Sequence, residues 1–159
     1  MDIKKLFLVP VMAIMLLFGA VLSAHAYING EQDLYNKIQK LQELRAFDVT
    51  SLINKGDLIG YRLDDFNRAR QTYNSSINYA IDQLNQIRDD IYKFQNMEGL
   101  SEQEKTVQVQ KLYQDANKVI SDLNSATSAF VYLVKNPMPT LTYQRFEKKF
   151  WNYYYSLGF

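Results

Sequence analysis

Two pairs of adjacent carboxylates, Asp64-Asp65 and Asp89-Asp90, are the closest this sequence comes to an acid–base constellation. Glycoside cleavage needs two carboxylates facing each other across a cleft. Neighbours on a helix point about 100° apart, so neither pair can do this alone. A solvated helix face is the expectation for both. A serine nucleophile needs a base, usually histidine. His25 is the only histidine, and there is no cysteine. Ser75-Ser76, Ser125 and Ser128 fall inside helical pattern, away from any strand–turn–helix elbow. A helical di-iron site requires Glu-x-x-His on facing helices, and a calcium loop requires Asp-x-Asp-x-Asp-Gly; neither motif occurs. A haem would have to lean on a tyrosine, or on Met97 or Met138 in turns. No glycine-rich phosphate cradle is present. The expectation is a protein that is not an enzyme and holds no cofactor or metal.

Two other features could carry a function. Arg70 is the one charge on an otherwise apolar stripe, and a buried guanidinium must be paired. Glu43, Asp48 and Asp122 are its candidate partners. It reads either as a register-fixing ion pair or as the mark of a ligand pocket between helices. The second feature is aromatic. The chain has 12 tyrosines, and Tyr153-Tyr154-Tyr155 stand beside Trp151 with Arg145, Lys148 and Lys149 close by. Three consecutive tyrosines cannot share one helix face, so some must leave the core. Aromatic and basic side chains together suit a partner groove or a membrane surface.

These residues need elements to hold them. Residues 1–26 read as an export signal. Lys4 and Lys5 lead, an uncharged run from Leu6 to Ala24 follows, and Ala24-His25-Ala26 supplies the A-x-A pattern before a cut at Tyr27. The run is also long enough to cross a bilayer as an uncleaved anchor. Both readings place residues 27–159 outside the cytoplasmic membrane, periplasmic or secreted. The formal charge of the whole chain is +1, and losing Lys4, Lys5 and Asp2 leaves a neutral remainder. A neutral, interspersed surface excludes nucleic acid as the expected partner. Without cysteine, an exported fold must stand on its core alone.

From Ile59 to Phe94, apolar residues recur at spacings of three and four through Leu63, Phe66, Tyr73, Ile77, Ala80, Leu84, Ile87 and Ile91. That is a coiled-coil-like seam, and it predicts one long helix over 57–96. Ser101-Glu102-Gln103-Glu104 is a capping box opening a second long helix. Its seam runs through Val109, Leu112, Ala116, Val119, Leu123, Ala126, Phe130 and Leu133, and Pro137 and Pro139 close it. The short join at Gly99 makes the two antiparallel. A shorter helix over about 31–54 precedes this hairpin, with Phe47-Asp48-Val49-Thr50 as a weak stretch, and a last helix over 142–157 follows. The expected fold is all-α: an antiparallel up-down bundle of three to four helices in a single domain over 27–159, around a long central hairpin.

A sharp turn at Lys55-Gly56-Asp57 would make the first helix flank the hairpin from one end only. The hairpin would then project as a bare two-helix arm from about Leu84 to Leu112. The expected partner-binding residues are therefore Ile87, Ile91, Phe94, Met97, Leu100 and Val107 on the arm, with Trp151, Tyr154 and Tyr155 on the last helix.

Two stretches resemble known families. Tyr153 to Phe159 is similar to the C-terminal aromatic signal of outer-membrane β-barrels, but no alternating strands precede it. Residues 69–78, Ala-Arg-Gln-Thr-Tyr-Asn-Ser-Ser-Ile-Asn, are similar to a segment of the LemA family of membrane-anchored helical proteins. The Arg-Ala-Asp-Leu-Ile-Pro pattern that precedes it in that family is missing here, so no property carries over.

The functional expectation is an exported binding protein of the cell envelope: an adaptor, accessory subunit or inhibitor that meets a protein partner or a second copy of itself. The alternatives are a membrane-surface protein acting through its aromatic C-terminal helix, and a small-ligand sensor or carrier.

Overall fold

The structure, a computed structural model, describes residues 28–54 and 56–159. The expected leader lies outside them. Four α-helices follow one another: α1 (Glu31–Ala46), α2 (Tyr61–Gln95), α3 (Glu102–Leu133) and α4 (Thr140–Ser156), with a short 3-10 helix, Val49–Leu52, between the first two. There is no strand among the described residues. The chain is an all-α bundle around the α2–α3 hairpin. No helix of the described residues is long and apolar enough to cross a membrane.

The hairpin forms for the reasons its residues supply. From Phe66 to Ile91 the seam of α2 is inward, with Phe66, Tyr73, Ile77, Ala80, Leu84, Ile87 and Ile91 all buried. The seam starts later than the spacing predicts, because Ile59 is 72% and Leu63 is 40% exposed. At the turn, Gly99 sits at φ +87°, where a side chain would be strained. Ser101 then caps α3. Its hydroxyl accepts the Glu104 N–H at 3.3 Å, and the Glu104 carboxylate accepts the Ser101 N–H at 2.8 Å. That doubly bonded carboxylate is held below its usual range, first by the Ser101 hydroxyl and then by the Ser101 backbone.

The first helix departs from its expected course. It ends at Ala46, not Asn54. The Asp48 carboxylate accepts both the N–H and the hydroxyl of Thr50, at 3.0 and 2.7 Å, and so starts a 3-10 turn in place of more α-helix. Phe47 leaves the helix to stack on Tyr153, ring centroids 3.9 Å apart. The long helix then begins at Tyr61, after Gly60 at φ +56°. The link between α1 and α2 is therefore a longer strap than expected: it carries the 3-10 turn first and then the expected turn near Gly56, where φ is +94° and the Asp57 N–H donates to the Asn54 carbonyl at 3.2 Å.

That strap slides α1 toward the hairpin tip. Asp48, just past its end, stands 3.7 Å from Arg70, well inside α2. At the other end Ile28 is fully buried, and its backbone is clamped by the Asn117 side chain of α3. The Ile28 N–H donates to Asn117 Oδ1 at 2.7 Å, and Asn117 Nδ2 donates back to the Ile28 carbonyl at 2.8 Å. Leu34 of α1 is likewise fully buried, beside Ile91. A bare arm from Leu84 to Leu112 is thus not what forms. Only the last turns, from about Tyr92 through Gly99 to Val107, project beyond the bundle.

At the opposite end α4 lies along the hairpin through an aromatic cluster. Phe130 stacks on Tyr73 at 4.6 Å, and Phe150 meets Phe130 at 5.6 Å and Tyr73 at 6.1 Å. Phe146 joins Phe66 at 6.3 Å. Rings of this area carry most of the burial such a core needs. A C-terminal clasp joins α4 to α1: Lys37 is buried, donates to the Gly158 carbonyl, and holds its ammonium 4.8 Å over the Phe159 ring. Burial pushes the Lys37 pKa down, and Asp33 partly opposes this.

Candidate interaction surfaces

The residues expected to meet a partner divide between core and surface. Ile87 and Ile91 are 8% and 1% exposed, covered from the α1 side. They are core residues, which corrects their placement on an arm surface. Phe94 and Leu100 are half-buried. Met97 and Val107 are 43% and 57% exposed. Tyr92, which the seam spacing passes over, joins them at 69% exposure. Position alone does not mark it, since Ile81 and Val131, also one step off a buried seam, are 5% and 3% exposed.

Beside this tip runs a groove of about 590 Å³, between the start of α1 and the end of α2. Leu34 and Ile91 form its floor, and Tyr92, Arg88 and Lys93 stand in its wall. Two of its bases are locally paired, Arg88 with Asp89 at 2.9 Å and Lys93 with Asp90 at 3.0 Å. Lys105 bridges Glu102 at 3.2 Å and the Gln95 carbonyl at 3.3 Å, tying α3 to the end of α2 at the tip. The arrangement offers apolar contact framed by polar groups. It holds no nucleophile with a base.

The three C-terminal tyrosines separate as one helix must separate them. Tyr154 points inward, 2% exposed, with its hydroxyl donating to Asn124. It is therefore a core residue and not a surface one. Burial pushes its pKa up to about 12. Tyr153 lies against Phe47, and its hydroxyl donates to the Glu43 carbonyl at 3.4 Å. Tyr155 faces outward, 51% exposed, stacked on half-buried Trp151 at 5.4 Å.

Arg70 is not the buried charge its stripe position suggests. Its side chain is 34% exposed, and Asp48 answers it at 3.7 Å. Among the described residues, no cluster of three or more His, Cys, Asp or Glu could hold a metal ion.

The hairpin face turned away from α1 and α4 carries a second groove, of about 380 Å³, lined in part by Thr72, Ser75, Ser76, Tyr79 and Ala126. The three hydroxyls there donate to backbone carbonyls one turn back, Arg68, Gln71 and Thr72, at 3.1 to 3.2 Å.

The fold defines an all-α helical bundle packed around a long hairpin. Comparison with known protein families, with curated proteins and with solved structures finds no match to this chain.

Proposed function

We propose that this chain is an exported, non-enzymatic binding protein whose hairpin tip engages a protein partner in the cell envelope or outside the cell, as an adaptor, accessory subunit or inhibitor. The observation that carries this reading is the tip itself. Tyr92, Met97 and Val107 are 69, 43 and 57% exposed on turns that project beyond the bundle, next to the groove floored by Leu34 and Ile91. An apolar knob beside an apolar groove is the usual anatomy of a contact hot spot. The leader pattern in residues 1–26 supports the location, periplasmic or secreted.

A photo-crosslinking amino acid at position 97, in protein expressed with its own leader, tests the reading. The expected result is one discrete adduct from the exported fraction, lost when Val107→Asp is added while the helical circular dichroism is unchanged. A second copy of the chain in the adduct would make the partner the protein itself. An interaction that survives both Met97→Asp and Val107→Asp would overturn the tip as the site.

A further inference from the structure

We propose that the outward face of α4 docks on an anionic lipid bilayer. This rests on a different part of the molecule from the tip. The inward side of α4 consists of Thr142, Phe146, Phe150 and Tyr154, all buried. Its outward side is basic with apolar ends. Leu141 is 72% exposed at the start, and Tyr155 is 51% exposed near the end, backed by Trp151 in a near-parallel stack of 17°. Arg145, Lys148 and Lys149 lie exposed between them.

The cations of this face are unpaired and outnumber its one acid, Glu147. No carboxylate among the described residues forms a salt bridge with Arg145, Lys148 or Lys149. The one acid on α4, Glu147, accepts the Tyr143 hydroxyl at 2.9 Å. Of the acids on the segment that packs against Tyr153, Glu43 pairs with Lys40 at 3.1 Å and Asp48 with Arg70 at 3.7 Å.

Shape selects the lipid surface over a folded acidic protein. The face is one convex helix side, with Leu141 and Tyr155 separated by about 21 Å along the axis. A line of cations between two apolar anchors matches a plane of phosphate headgroups with acyl chains beneath it. Indole and phenol rings settle at that boundary, and lysine and arginine pair with the anionic headgroups. Docked this way, α4 lies in the membrane plane. The hairpin, whose α3 runs antiparallel to α4, lies alongside with its tip free.

The test uses protein expressed with its own leader and purified from the exported fraction. Trp151 is the only tryptophan, so its fluorescence reports this face alone. Vesicles containing phosphatidylglycerol are expected to pellet the protein and shift Trp151 emission to the blue, and high salt should release it. Pure phosphatidylcholine vesicles should do neither. Lys148→Gln with Lys149→Gln should weaken binding on the order of fivefold for each charge removed, with helicity unchanged. Equal binding to both kinds of vesicle, binding insensitive to salt, or undiminished binding of the double variant would each overturn the proposal. So would binding only to an acidic protein and to no vesicle.

Discussion

The two faces of the α2–α3 hairpin are built on the same pair of helices and obey different rules. The covered face carries Phe66, Tyr73, Ile77, Leu84 and Phe130, all at 2% exposure or less. The open face carries Thr72, Ser75, Ser76 and Ala126 around a shallow groove. Hydroxyls make the contrast plain. On the open face Ser75 and Ser76 each bond one backbone carbonyl, and water supplies whatever else they need. On the covered face Thr127 donates to the Leu123 carbonyl at 2.8 Å and also meets the Tyr73 hydroxyl at 3.1 Å. Burial removes water, so a hydroxyl there must find a second protein partner or leave one unsatisfied at a cost of about 1–3 kcal/mol. Among the described residues no buried side-chain nitrogen or oxygen lacks a partner.

The hardest way to break this contrast is through the covered face. Phe150 touches Phe130, Phe146, Tyr73, Trp151 and Tyr154. Phe150→Ala should cost about 3–5 kcal/mol in urea unfolding, because the ring leaves a cavity that its rigid neighbours cannot fill. A loss under about 1 kcal/mol would mean that α4 is not clasped as described.

A gentler probe is alkali. Burial raises the pKa of Tyr73 above the usual phenol value and that of Tyr154 to about 12, against 10.0 for a free phenol. A phenol whose folded pKa is raised stabilises the fold below its unfolded value, and that stability drains away as pH climbs through the folded value. Loss of helix should therefore begin above pH 10.0 and accompany the last tyrosines to ionise. Tyrosinate absorbance and circular dichroism followed together would show it. All tyrosines ionising with the helix signal intact would contradict the burial of this pair.

The smallest effect belongs to the open face. Ser75→Ala removes a hydroxyl that serves only its own helix, and should change stability by no more than about 0.5 kcal/mol. A cost comparable to that of Phe150→Ala would show that the open face is covered in solution.

Several features could be read directly from residue order. The run from Phe66 to Ile91 announces a buried stripe by its spacing. Ser101 and Glu104 announce a helix start, and Pro137 and Pro139 forbid the helix before them from continuing. These are local rules, acting over one or two turns. Asp48 is also local: residues 47–50 read as a weak stretch, but the capture of Thr50 by Asp48 competes with a continuing helix, and periodicity does not rank the two. The tip residues show the deeper limit. Ile87 and Ile91 carry the right spacing for a stripe, but what covers a stripe is set elsewhere in the chain.

By itself, then, the order of residues determined that this chain forms helices, where most of them stop, and which side of each is apolar. Only the tertiary structure decided how far α1 slides along the hairpin. With that came the burial of Ile87 and Ile91, the half-exposure of Arg70 and the inward turn of Tyr154. The physical reason is that an apolar stripe repeats. Shifting one helix against another by a turn leaves every spacing intact, so the register falls to a few unique contacts. Here those are Asn117 on Ile28, Asp48 beside Arg70, and Phe47 on Tyr153.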